Sequence, residues 1–141
     1  MIAINIIAVG DLSEKWQAEA CAEYVKRLGA FCKYKLINIK EGQSVLSKLT
    51  PKAFKIALCV EGEAYDSAGF ADLIDSLAVR GYSELDFIIG GSDGLSGGEK
   101  AACDLRLSFS KMTFTHGMMR VFLLEQIYRA FMINKGLKYH K

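Results

Sequence analysis

The sequence is poor in the residues that mark several protein classes. It has one proline and four cysteines among 141 residues, which argues against collagen-like, proline-rich and disulfide-stabilised chains. No apolar run approaches the roughly 20 residues of a membrane helix. The N-terminal segment lacks the basic cluster and the cleavage site of a signal peptide. We therefore expect a cytoplasmic protein with reduced thiols and no membrane partner.

Motifs for metals and phosphates are also lacking. The cysteines form no CxxC pair, and no group of His, Cys, Asp and Glu has metal-ligand spacing, so we expect no metal. The four thiols are expected to act as small buried hydrophobic groups. The glycine-rich segment 90–94 lacks the GK[ST] ending of a P-loop and does not fit GxGxxG. No G-x-S-x-G nucleophile motif occurs either.

What the chain does contain is typical of one globular domain, predicted over residues 1–141. Hydrophobic residues make up 51% and charged residues 24%, enough for a buried core. Short β-branched runs alternate with amphipathic segments, which predicts an α/β fold with an open, mostly parallel sheet flanked by helices. The expected strands are 2–9, 34–39, 54–60, 85–89 and 111–114, with an acidic loop at 61–63. The expected helices are 14–28 (capped by Ser13), 43–49, 67–80, 97–104 and 118–135.

Charge is distributed unevenly although the net charge is only +2. Residues 1–60 carry a net charge of +4, residues 61–104 a net charge of −8 and residues 111–141 a net charge of +5. Such a distribution can present a positive face to a polyanion such as RNA. An ordinary solvated surface is the alternative.

The glycine-rich loop is the first candidate site. Three glycines within 90–94 follow an expected strand, and glycine lets the main chain approach a ligand closely. Ligands of open α/β sheets bind beyond the carboxyl ends of the strands. A bare tight turn is the alternative explanation.

Histidine and arginine side chains near the last helix form the second candidate site. His116 precedes that helix and can act as an acid, a base or a structural brace. Arg129 lies four residues after Glu125, and Arg120 lies on the same helix. This spacing fits an intrahelical ion pair or an arginine fork aimed at phosphate. Tyr139 and His140 lie in a basic tail that either frays or stacks on bases.

The last helix is apolar on nearly all sides. One side of a helix on a small sheet does not bury all of these residues, so we expect a second copy of the chain to cover the other side. The predicted assembly is a homodimer, in which the tail of one protomer could complete the pocket of the other.

Three segments together resemble a known family. IIGGSDGLS, LSFSKMTFTH and GMMRVFLLEQIYRAFMINKGLKYHK look like the C-terminal half of RlmH-type methyltransferases of the SPOUT (α/β-knot) class, and IAVGDLSEKW and LCVEGEAYDS fit its N-terminal pattern. The resemblance implies a C-terminal trefoil knot, a homodimer and methyl transfer from S-adenosylmethionine. The acceptor it implies is nitrogen 3 of a pseudouridine in large-subunit ribosomal RNA.

The same resemblance implies the site residues. Its cofactor positions correspond to Leu58, Gly90, Phe109, Ser110, Lys111, Met112, Thr113 and Phe114. Its histidine, helix arginine and tail correspond to His116, Arg129, Tyr139 and His140, with His116 and His140 as candidate bases. A noncatalytic RNA- or ribosome-binding module remains the alternative, and calorimetry with S-adenosylmethionine would distinguish the two.

Overall fold

The computed structural model describes residues 1–139, which fold into five strands, four α-helices and one short 3-10 helix. Some helices begin at a side-chain cap. Asp66, for example, accepts a hydrogen bond from the Gly69 amide at the start of helix Ser67–Val79. In chain order the elements are β1 Ala3–Val9, α1 Lys15–Leu28, β2 Lys33–Ile39, the 3-10 helix Leu46–Lys48, β3 Phe54–Ala64, α2 Ser67–Val79, β4 Glu84–Ile89, α3 Gly97–Ala101, β5 Leu105–Ser108 and α4 His116–Asn134.

The five strands form one parallel sheet in the order β2-β1-β4-β3-β5. The central strands β1 and β4 are almost completely buried, as their β-branched runs predict. The predicted α/β class with an open parallel sheet is therefore confirmed. The trefoil knot stays a prediction.

The two faces of the sheet are covered unequally. Helices α1, α4 and α2 pack side by side on one face, over a core that includes Ile6, Phe87 and Leu107. The opposite face has a smaller apolar cluster that includes Ile7, Ile88 and Val45. Its polar part contains Asp86, which accepts hydrogen bonds from Asn5 Nδ2 (2.9 Å) and the Thr50 amide (2.7 Å).

Two strand predictions were wrong. Residues 111–114 form no strand, because β5, at Leu105–Ser108, occupies the edge of β3 instead. β3 continues to Ala64 rather than ending at an acidic loop, since Leu107 of β5 pairs first with Leu58 and again with Glu63. Residues 59–62, between these two pairings, form the bulge of β3.

Smaller differences concern the helices. Glu14 rather than Ser13 is the N-cap residue of α1, and its side chain makes no capping hydrogen bond. The expected helix 43–49 is only the 3-10 turn Leu46–Lys48, and α3 ends at Ala101. The last helix is less exposed than its composition suggests, because α1 and α2 flank it and every residue of 116–133 is buried or half-buried.

Topology places a crevice at the centre of the sheet. β1 and β4 are neighbours, but the chain leaves β1 toward β2 at one edge and leaves β4 toward β5 at the other. Ligands of open α/β sheets bind at such a switch point, beyond the carboxyl ends of the strands. The segments after β1, β4 and β5 and the irregular part of β3 all meet there.

Candidate active site

A cavity with a volume of about 870 Å³ lies at this switch point. It is lined by the segment after β1, the bulge of β3, the glycine-rich loop, and the segment from Phe109 to the first turn of α4. A cavity of this size accommodates a nucleoside-sized ligand. Seven of the eight predicted cofactor positions line it: Leu58, Gly90, Phe109, Ser110, Met112, Thr113 and Phe114. Lys111 is exposed and does not line it.

The glycine-rich loop is held close by its own main chain. A Cβ atom on Gly90 would lie 2.6 Å from the carbonyl carbon of Gly94 and 2.8 Å from the amide nitrogen of Leu95. The loop folds back through a bridge between Gly91 and Gly94, and Gly94 has a positive φ of 72°. A side chain at Gly90 would therefore push the loop out of position, so the glycine is required by the turn that forms one wall of the cavity.

The wall formed by β3 and by the segment after β5 depends on another close approach. A Cβ atom on Gly62 would lie 2.7 Å from main-chain atoms of Arg106 and Leu107. This approach lets β3 pair with β5 on both sides of the bulge, which turns Cys59, Val60 and Glu61 toward the cavity. Leu58 contributes a buried apolar surface.

His116 is the first residue of α4 and lines the cavity. Thr115 caps this helix by accepting a hydrogen bond from the Met118 amide (3.3 Å). The Nε2 atom of His116 lies 3.3 Å from the carbonyl oxygen of Asp11. Because a carbonyl only accepts, this contact assigns the hydrogen of a neutral ring to Nε2 and makes Nδ1 the basic nitrogen.

Arg120 lies one turn further along α4 and is 2% exposed. Its Nη2 donates to the carbonyl oxygen of Gly10 (2.8 Å), and its Nε finds no partner among residues 1–139. Burial lowers the pKa of the Arg120 guanidinium. The side chain thus ties the segment after β1 to α4, and it does not form the phosphate-facing fork that its position allowed.

Glu41, beside the glycine-rich loop, was missed from the sequence. The carboxylate of Glu41, after β2, accepts hydrogen bonds from the amide and hydroxyl of Ser92 (both 3.3 Å). The same carboxylate would lie within 2.5 Å of a Cβ on Gly91, and it also approaches Gly10 beside the His116 ring. Its position beyond the carboxyl end of an expected strand was the signal that could have found it.

Arg129 and Tyr139 lie together but outside the cavity lining. Arg129 makes two hydrogen bonds to Glu125, from Nε (3.2 Å) and Nη2 (2.9 Å), so the intrahelical ion pair is present. Tyr139 donates its hydroxyl to Glu125 (2.6 Å), and the Arg129 guanidinium lies 4.8 Å from its ring centroid. Burial, and then the hydrogen bond to Glu125, raise the pKa of Tyr139. His140 lies outside the described residues.

The other negative expectations concern metals, thiols and membranes. Residues 1–139 contain no group of three or more His, Cys, Asp or Glu side chains that could hold a metal ion. All four cysteines are free; Cys21 and Cys32 are buried, whereas Cys59 and Cys103 are half-buried. Burial raises the pKa of Cys32 to about 11. No helix in the described part of the chain is long and apolar enough to cross a membrane.

Solved structures with a similar backbone support the fold. A probable methylase family protein from Haemophilus influenzae superposes with a TM-score of 0.62 at 13% identity, covering 99% of this chain and 70% of that one. A probable methyltransferase from Bordetella pertussis gives a TM-score of 0.61 at 12% identity, covering 90% and 95%. At such identities the likeness shows the fold alone.

Sequence comparison is more specific. A family profile described as "Predicted SPOUT methyltransferase" matches residues 2–140. Proteins named "Ribosomal RNA large subunit methyltransferase H" from Bacillus pumilus, Clostridium acetobutylicum and Streptococcus gordonii are 45%, 42% and 41% identical to this chain, covering 98% of it and 99% of each relative. The motifs, the fold and these matches together show that the chain belongs to the SPOUT methyltransferase family, among its large-subunit ribosomal RNA methyltransferase H members.

Proposed function

We propose that this chain transfers a methyl group from S-adenosylmethionine to large-subunit ribosomal RNA, at nitrogen 3 of a pseudouridine. The observation that carries the proposal is the cavity in which the glycine-rich loop, the β3 bulge and the segment 109–115 meet beside His116. Membership of the family supports the reaction, and the name of the relatives supports the RNA substrate.

The residues of the cavity fit this cofactor. S-adenosylmethionine, when bound, supplies a methyl group activated by a sulfonium cation. It has no phosphate, so the lack of a P-loop is compatible with it. The close turn at Gly90 forms one wall of the cavity, and the surface of Leu58, Phe109 and Met119 would pack on an adenine ring.

The remaining predicted cofactor positions act mainly through their main chain. The segment formed by Ser110, Lys111, Met112 and Thr113 is not part of a helix or strand, so the amides and carbonyls that are not bonded locally are available for hydrogen bonds to the adenine. Two groups of this run are bonded locally: the Met112 amide donates to the Ser110 hydroxyl (3.0 Å), and the Ser110 carbonyl accepts from the Ser108 hydroxyl (2.9 Å). Phe114 stacks edge-on against Phe122, which fixes the end of the segment at α4.

His116 is our candidate general base. The imide nitrogen of the acceptor base must lose a proton before or during methyl transfer, and Nδ1 of a neutral His116 can accept it. Orientation of the reactants contributes roughly 7–11 kcal/mol to such reactions, whereas a base contributes roughly 10²–10⁴-fold. His116→Ala is therefore expected to slow methyl transfer while cofactor binding persists.

The tail and the oligomeric state complete the proposal. Arg129, Tyr139 and His140 would anchor RNA by charge and stacking, and they would do so at the cavity of a partner protomer in a homodimer. Support comes from apolar side chains left exposed at the cavity mouth, notably Met112, which is 74% exposed. Sedimentation is expected to give the mass of a dimer. A monomer with full activity would contradict the composite site.

The test of the reaction uses purified protein, S-adenosylmethionine labelled in its methyl group, and ribosomes from cells that lack the activity. We expect label in large-subunit RNA, and we expect it to fall at least 100-fold with His116→Ala. No binding of S-adenosylhomocysteine, together with no transfer to ribosomes, subunits or RNA, would instead identify a noncatalytic RNA- or ribosome-binding module. Such enzymes work where ribosomes are made, which makes the cytoplasm the proposed location.

A further inference from the structure

One corner of the cavity differs from the rest of its lining. Most of the lining near Gly90 is apolar, including Leu58, Leu95 and Phe109, but Glu61 and Lys100 form an ion pair at this corner. Glu61 lies on the β3 bulge and Lys100 on α3, so the pair joins two walls of the cavity. The Lys100 side chain is 21% exposed and that of Glu61 is 52% exposed; both are therefore accessible to a ligand in the cavity.

Charged groups of both signs lie around this pair. The hydrogen bond from Lys100 lowers the pKa of Glu61, and the charge of Arg106 on β5 acts in the same direction. Asp93, in the glycine-rich loop, and Glu14, just before α1, are further carboxylates in the cavity lining. The corner thus offers cationic and anionic groups side by side at the edge of an apolar pocket. It is complementary to a ligand with an aromatic end and a zwitterionic end.

We propose that the Glu61–Lys100 pair is the subsite for the amino-acid end of the cofactor. Lys100 receives the α-carboxylate and Glu61 receives the α-ammonium group. This inference rests on the proposed use of S-adenosylmethionine and names residues that the family motifs did not. When the ligand binds, Glu61 and Lys100 give up their contact with each other and each contacts the ligand. The free-energy cost of breaking this ion pair is low, because exposed ion pairs contribute little to stability.

The experiment compares two ligands that share the adenosine part. S-adenosylhomocysteine carries the amino-acid end, whereas 5′-methylthioadenosine lacks it. Calorimetry is carried out with the wild-type chain, Lys100→Ala, Glu61→Gln and Asp93→Asn. The matched controls are Lys15→Ala and Glu19→Gln, because those residues form an exposed ion pair on α1 and do not line the cavity.

We expect Lys100→Ala and Glu61→Gln each to weaken the binding of S-adenosylhomocysteine by about tenfold, which is the effect of losing a hydrogen bond to a charged group. The affinity for 5′-methylthioadenosine should stay within twofold, which also shows that the variants fold. The control variants should change neither affinity.

Several results would overturn the assignment. Equal losses for both ligands would mean that the pair only shapes the cavity, and no loss for either would mean that the amino-acid end lies elsewhere. A selective loss in Asp93→Asn but not in Glu61→Gln would move the ammonium group to Asp93. Failure of the wild-type chain to bind either ligand would instead refute the proposed function itself. This result is distinct from those that refute only the assignment of the subsite.

Discussion

Replacing Gly90 by alanine tests the account of the cavity. The added Cβ would lie 2.6 Å from the Gly94 carbonyl carbon, 2.8 Å from the Leu95 amide nitrogen and 2.9 Å from the Gly94 Cα. All three are main-chain atoms, so no side chain can rotate away. Reaching an ordinary contact of 3.4 Å requires the loop to move by about 0.8 Å. That movement displaces the wall on which the cofactor is proposed to rest.

We expect Gly90→Ala to lower the unfolding free energy by about 1–3 kcal/mol, the usual cost of overpacking. We also expect it to weaken the binding of S-adenosylhomocysteine by tenfold or more, because a loss of about 1.4 kcal/mol in binding free energy is a tenfold loss of affinity. Denaturant unfolding and calorimetry measure the two effects.

A neighbouring glycine provides the control. Gly98 lies in α3, and a Cβ there would meet nothing within 4 Å. Gly98→Ala should leave binding unchanged and stabilise the helix by up to about 1 kcal/mol. If Gly90→Ala binds S-adenosylhomocysteine as tightly as wild type and is as stable, the close approach of the loop to itself does not form the site.

Three further predictions concern the frame of the site and its thiols. Gly62→Ala should destabilise the chain by about 1–3 kcal/mol, measured by urea unfolding, since its Cβ would lie 2.7 Å from the main chain of β5; unchanged stability would contradict the described bulge. Arg120→Ala should cost about 2–3 kcal/mol in the same assay, because the Gly10 carbonyl loses its donor and a buried space opens, and a loss below half of that would mean that Gly10 is held by other contacts. The unfolding free energy should fall as the pH rises from about 8.5 toward 11, because burial raises the pKa of Cys32 to about 11, above its unfolded value of about 8.5. This stabilisation is complete below the unfolded pKa and is lost as the pH rises through the folded pKa. Cys32→Ala should therefore show a shallower decline of the unfolding free energy with pH, and an equally steep decline would assign the pH dependence to other groups.

The sequence predicts the sheet well because its central strands are buried on both faces. Apolar runs such as those of β1 and β4 have few alternatives to a buried strand. The edge of the sheet is harder to predict. Residues 105–108 and 111–114 both have strand-like composition, and only the pairing with β3 decides that 105–108 is the strand. The intrinsic strand propensity of each segment does not determine which of two neighbouring segments pairs with β3.

The site divides in the same way. Gly90 and His116 could be predicted, because a glycine-rich loop after a strand and a histidine at a helix start carry local signals. Glu61 and Lys100 could not, since they meet the cavity only through long-range packing of the β3 bulge and α3. Burial of Arg120 was equally hidden, because the space beneath Gly10 exists only once α4 packs against α1.

The central claim is methylation of large-subunit ribosomal RNA, and mass mapping of that RNA from cells with and without the gene measures it most directly. We expect one pseudouridine to carry an extra methyl group only when the gene is present, and we expect a His116→Ala copy not to restore it. Identical masses across all large-subunit fragments from the two strains would contradict the claim.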